Sequence, residues 1–154
     1  MISKGVGIMG EVVRRRKFHI KQYMGKTFPV VICSPDQALE QDIAGAGYQH
    51  FALNLPLASA LSAKAGYDRT KNVKETIFSL LPKQQSIYLV DYEMLFDPRY
   101  EIDVLKLFYE IARKQKLVAR WCGEYRPFTL IYAEPGYPEY QRYKIADYDV
   151  ICVS

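Results

Sequence analysis

An α/β domain built on a mainly parallel sheet of five or six strands is what this sequence predicts. Two observations carry that expectation. Six short apolar runs, FPVVICS (28–34), HFALNL (50–55), IYLVD (87–91), LVARWC (117–122), FTLIYA (128–133) and YDVICV (148–153), have the length and the β-branched or aromatic content of strands. Between the first four lie segments with helical patterning. Strands that alternate with helices form βαβ units, in which the sheet is covered on both sides in three layers.

Residues 1–10, with Gly5, Gly7 and Gly10, read as loose chain. Over 11–24 a partial apolar stripe of Val12, Val13, Phe18, Ile20 and Tyr23 is broken by RRRK, which predicts a short helix with a basic face. FPVVICS is apolar almost throughout, as a strand buried on both faces must be. Ser34-Pro35-Asp36-Gln37 then predicts a helix start, with Ser34 as N-cap, Pro35 at the first helical position, Asp36 in the first turn and Gln37 completing a capping box. Gly45 or Gly47 ends that helix. HFALNL is the second strand, followed by helices over 57–65 and 72–81, the latter closed by Pro82. After IYLVD, residues 101–115 put Ile102, Leu105, Leu107, Phe108 and Ile111 on one face, with acids early and bases late as the helix dipole favours. LVARWC, FTLIYA and YDVICV complete the strands.

A chain of 154 residues fits one domain with a single core. Its 13 tyrosines suit half-buried sites where the ring packs and the hydroxyl stays wet. Cys33, Cys122 and Cys152 are odd in number and far apart, a pattern of reduced thiols in a cytoplasmic protein rather than of disulfides or a metal site. No apolar run is long enough to span a membrane, and the N-terminal residues, basic with no apolar stretch after them, do not read as a secretion signal. Charge divides the sequence. Residues 1–26 hold seven bases against one acid, a net +6, whereas 27–154 carry −2 of the overall +4. The expected organisation is therefore a basic N-terminal segment, 1–26, joined to an α/β domain, 27–154.

In an open parallel sheet, ligands sit beyond the carboxyl ends of the strands. IYLV runs directly into Asp91, with Glu93 two places on. In P-loop nucleoside-triphosphatases this pattern sets one carboxylate near Mg²⁺ and a second where it orients water. Its partner would be a glycine-rich loop after the first strand, whose amides wrap the phosphates, with a Lys and a Ser or Thr. Here the loop is SPDQALEQ, 34–41. Ser34 and Leu39 take the glycine positions, Glu40 the lysine position and Gln41 the hydroxyl position, and Asp36 and Glu40 repel a triphosphate. What remains for nucleotide binding is Ser34, Asp36 and Gln37 at a helix start. Lys26, Lys64 and Arg120 are the bases that could supply the missing charge. ATP and Mg²⁺ are thus the only cofactors suggested, and no metal site of His or Cys is expected.

Two other stretches stand out. Arg14, Arg15, Arg16 and Lys17 can contact nucleic-acid phosphates, or form a solvated basic face; Phe18 and Tyr23 beside them read as anchors to the core. In YAEPGYPEYQRY (132–143), Glu134, Tyr137, Glu139 and Tyr140 surround a Pro-Gly turn, a rigid aromatic loop suited to docking a protein partner at the crevice edge. No Ser-His-Asp, Cys-His or paired-carboxylate set has hydrolytic spacing.

IYLVDYEMLFDP, VARWCGEY and TLIYAEPGYPEYQRY, with FALNLPLASAL before them, resemble the BrxF family of small P-loop-containing proteins from type III bacteriophage-exclusion (BREX) defence systems. The resemblance covers residues 28–153. It implies a three-layer P-loop NTPase-like fold, work in the cytoplasm alongside other defence proteins, Asp91 as the Walker B-like acid and Glu93 as a catalytic acid. SPDQALEQ departs from the family's phosphate loop. The expected function is an assembly or adaptor subunit of an anti-phage system with little or no nucleotide hydrolysis. The alternatives are an ATPase using Asp91 and Glu93, and a DNA-binding module led by Arg14–Lys17. Self-association is left open.

Overall fold

The computed structural model describes residues 10–25, 27–64 and 72–154. Residues 1–9 of the expected loose stretch 1–10, Lys26 and the end of the 57–65 helix lie outside the described residues. Six strands form one parallel sheet: β1 (Glu11–Val13), β2 (Val30–Ile32), β3 (Gln49–Ala52), β4 (Ile87–Val90), β5 (Leu117–Arg120) and β9 (Ile151–Val153), in the order β1-β9-β2-β5-β4-β3. The α/β class and the parallel sheet are as the sequence predicts. Among the described residues four α-helices connect it: α1 (Gln37–Gly45), α2 (Asn54–Ser62), α3 (Val73–Leu80) and α4 (Val104–Ala112).

Every residue of IYLV is buried because both faces of β4 are covered, and successive side chains point to opposite faces. Ile87 and Leu89 join the core made by Leu57, Ile77, Leu105 and Phe108 from α2, α3 and α4. Tyr88 and Val90 join the second core with Leu39 and Ile43 of α1. That second core also takes Phe18 and Ile20 from the N-terminal segment.

The elements depart from the sequence expectation in several places. Residues 11–24 form β1 and two short 3₁₀ turns, Arg15–Lys17 and Ile20–Gln22, rather than a helix. The basic segment is thereby continuous with the sheet through β1, which pairs with β9. FTLIYA leaves the parallel sheet. As β7 (Thr129–Tyr132) it is the middle strand of a separate antiparallel sheet, between β6 (Glu124–Arg126) and β8 (Gln141–Lys144). The polar flanking strands carry no apolar run to announce them; β8 buries Tyr143 alone. Lastly, Asn54 and Leu55 belong to α2, not to the second strand.

The predicted end of α1 is found in detail. Gly47 is left-handed at φ 94°, and the amides of Gly47 and Tyr48 bond back to Ala44 and Ile43. This pairing satisfies the last carbonyls of the helix, and a glycine tolerates the φ it needs. No described helix is long and apolar enough to cross a membrane.

Candidate functional site

The connection after β2 enters the α1 core, whereas the chain after β5 passes through Trp121 into the opposite core. Since β2 and β5 are neighbours, the chain diverges between them, and their carboxyl ends frame the ligand crevice of such a sheet.

On the β2 side the helix begins later than the capping pattern predicts. Ser34 adopts a left-handed φ of 52°, and Asp36 is the N-cap, its carboxylate accepting from the Leu39 amide at 2.8 Å. A carboxylate is favoured here because it meets an orphan amide at the positive end of the dipole. The carboxylate also accepts from Arg15 Nη2 at 3.3 Å. These bonds, the Leu39 amide foremost, hold the Asp36 carboxyl below its ordinary pKa. Gln37 is the exposed first residue of α1, not a capping partner. The positive helix end is thus occupied by the protein's own acid.

One turn into α1, Glu40 takes the position where a phosphate loop has its lysine. Its Oε2 accepts from the Tyr88 hydroxyl at 2.5 Å and from Arg120 Nη1 at 3.1 Å. Arg120, the last residue of β5, reaches this side of the crevice as Arg15 does, and it too is paired with an acid. Burial, then the Glu40 hydrogen bond, raises the Tyr88 pKa well above that of a free phenol.

Across the sheet edge, Asp91 follows β4 at a left-handed φ of 49°, and its carbonyl accepts the Asn54 amide at 2.7 Å. The Asp91 carboxylate is exposed and forms no hydrogen bond or ion pair among the described residues. Glu93 opens a 3₁₀ turn, Glu93–Phe96, and is held by Asn54, whose Nδ2 donates to Oε1 at 2.9 Å while its Oδ1 accepts the Met94 amide at 3.1 Å. Between them Tyr92 is fully buried, donating to the Arg120 carbonyl at 2.7 Å and so tying the acidic turn to β5. Glu93, Asn54, Tyr132, Pro138 and Glu139 line a cleft of about 510 Å³. No side-chain bond among the described residues links Asp91 or Glu93 to Ser34, Asp36 or Gln37, so the expected catalytic and nucleotide residues do not converge into one hydrogen-bonded set.

The basic cluster lands at the same edge of the sheet. Arg14–Lys17 follow the carboxyl end of β1, and the Arg15 amide bonds the Ser154 carbonyl at 2.8 Å, just past β9. Arg14, Arg16 and Lys17 are exposed. Phe18 is buried and stacks on Tyr23 with centroids 5.2 Å apart. The aromatic loop joins β7 to β8, with Gly136 at φ 98°. Tyr132 at its base stacks on Phe96 at 3.8 Å, Glu134 is exposed, Tyr140 is half-buried, and Tyr137 projects with 60% of its surface exposed.

The chain matches no family model, curated protein or solved structure. Asn54 and Tyr88 carry no sequence pattern that marks them, and their roles are legible only from what they touch. Arg120 could be singled out because it closes an apolar strand at the carboxyl edge.

Proposed function

We propose that this chain is a P-loop-like assembly or adaptor subunit of a bacterial anti-phage defence system of the BREX type, with little or no nucleotide hydrolysis. The setting rests on the resemblance of LVDYEMLFDP and YAEPGYPEY to that family. The loss of hydrolysis rests on one observation: Glu40 stands at the lysine position and engages Arg120. A triphosphate bound beside SPDQ would face Asp36 and Glu40 with no lysine in the loop to offset them, and charge compensation is most of what catalyses phosphoryl transfer. The residues present do not fit Mg²⁺-ATP. Asp91 and Glu93 then serve as the polar ends of a buried strand, and the cleft walled by Glu93, Pro138 and Glu139 faces a protein partner.

A host carrying the complete defence system tests this. Asp91→Asn should leave protection against phage intact, whereas Tyr137→Ala with Glu139→Lys should abolish it. Loss of protection in the first variant, together with a rise in melting temperature in Mg²⁺-ATP, would favour an ATPase with an altered site. A ligand at about 100 times its Kd stabilises by roughly 2.7 kcal/mol, a shift easily read by thermal unfolding.

A second reading is favoured by the exposed Arg14, Arg16 and Lys17 beside Arg15 at the carboxyl edge, a surface suited to the phosphates of DNA. Arg14→Glu with Arg16→Glu should remove salt-sensitive DNA retention; unchanged retention would rule that surface out.

A further inference from the structure

We infer that Asp36 is an intramolecular competitor for nucleic acid, its carboxylate occupying the Arg15 guanidinium that would otherwise contact a backbone phosphate. This inference rests on the DNA-contact reading and deepens it. Within the basic cluster, Arg14, Arg16 and Lys17 form no side-chain hydrogen bond or ion pair among the described residues; Arg15 does. Its contact with Asp36 is a single one at 3.3 Å, between side chains 37% and 64% exposed, a geometry that water and salt weaken. The Arg15 Nε is buried without an acceptor, so the guanidinium is held but not saturated.

A phosphate offers Arg15 a better partner than Asp36 does, because two of its oxygens can accept from the planar fork at once. Asp36 cannot follow, since the Leu39 amide fixes its carboxylate to α1 at 2.8 Å. Binding therefore requires Arg15 to leave Asp36, and the ion pair opposes that exchange. The competition makes DNA contact weaker than a cluster of four bases would give alone.

Asp36→Asn separates the charge from the cap, because asparagine caps helices as well as aspartate does. The measurement is fluorescence anisotropy of a 20-base-pair duplex with the full chain between 50 and 200 mM KCl. Asp36→Asn should bind more tightly than wild type. Each added phosphate contact steepens the slope of log K against log salt by about 0.9, so its advantage should be about 3.5-fold larger at 50 mM than at 200 mM. Asp42→Asn, an exposed acid further along α1, controls for bulk charge. In an Arg15→Gln background, Asp36→Asn should add no more than Asp42→Asn. An equal effect of the two asparagine variants, or one that persists without Arg15, would overturn the inference while leaving DNA binding standing. If neither wild type nor Asp36→Asn binds at 50 mM, both the inference and the DNA reading fall.

Discussion

The Tyr88 hydroxyl donates to the Glu40 carboxylate at 2.5 Å, joining β4 to the first turns of α1 across 48 residues of sequence. Arg120 binds the same oxygen from β5, so one carboxylate ties together a helix and two strands at the point where a nucleotide-binding sheet would hold phosphate.

That junction should be measurable in stability. Glu40→Ala leaves the Tyr88 hydroxyl and the Arg120 guanidinium without their acceptor. Because the Glu40 and Arg120 side chains are 33% and 40% exposed, solvent screens the ion pair, and the expected cost is about 1 kcal/mol. Glu40→Gln retains an acceptor oxygen and should cost less. Urea denaturation of Glu40→Ala, Tyr88→Phe and the double variant should show the two losses to be non-additive; simple additivity would mean the pair contributes nothing.

Alkaline titration should divide the tyrosines. Burial raises the pKa of Tyr88, Tyr92, Tyr143 and Tyr148 above the ordinary phenol value, with acids such as Glu40 and Asp103 adding to it. The folded state therefore keeps protons that the unfolded chain releases near pH 10. The stability these groups contribute is complete below that pH and declines as pH rises above it. Phenolate absorbance should show these four ionising late, with a steep step on unfolding. A single smooth transition of all 13 tyrosines near pH 10 would contradict the structure.

Gly123→Ala should be among the most damaging small substitutions. A β-carbon there would lie 2.0 Å from the Ile131 carbonyl oxygen, which accepts a hydrogen bond from the Trp121 indole. Relieving that collision means opening the β6–β7 pairing, at a cost of about 1–3 kcal/mol or more. Gly25→Ala is the control: nothing lies within 4 Å of its β-carbon, and it should be close to neutral. Chemical denaturation of both variants measures the difference.

Asn54→Ala should loosen the acidic turn without unfolding the sheet. It removes the donor to Glu93 and the acceptor of the Met94 amide, while the Asn54 backbone still bonds Asp91. The stability loss should be about 1 kcal/mol. Hydrogen exchange at the Met94 amide should accelerate, with the β4 amides unchanged; protection retained at Met94 would show that the side chain does not fix the turn.

The parallel α/β class, the places of β2, β4, β5 and β9, and the glycine end of α1 can be read along the chain. The sequence makes them plain. These follow from local causes: a strand covered on both faces must be apolar throughout, and a left-handed helix end favours glycine. It also put acids, not a lysine, in the first loop, and marked Arg120 as a base able to reach the crevice. Tertiary structure decided what local pattern could not encode. Glu11–Val13 is too short for periodicity to show, and it becomes a strand because β9 offers its free edge. FTLIYA satisfies either sheet by composition; polar β6 and β8 claim it. Likewise Arg15 meets Asp36, and Glu40 meets Tyr88 and Arg120, across 21 to 80 residues. Which charges neutralise one another is set by the order in which strands assemble, because electrostatic partners are chosen by distance in space and not along the chain.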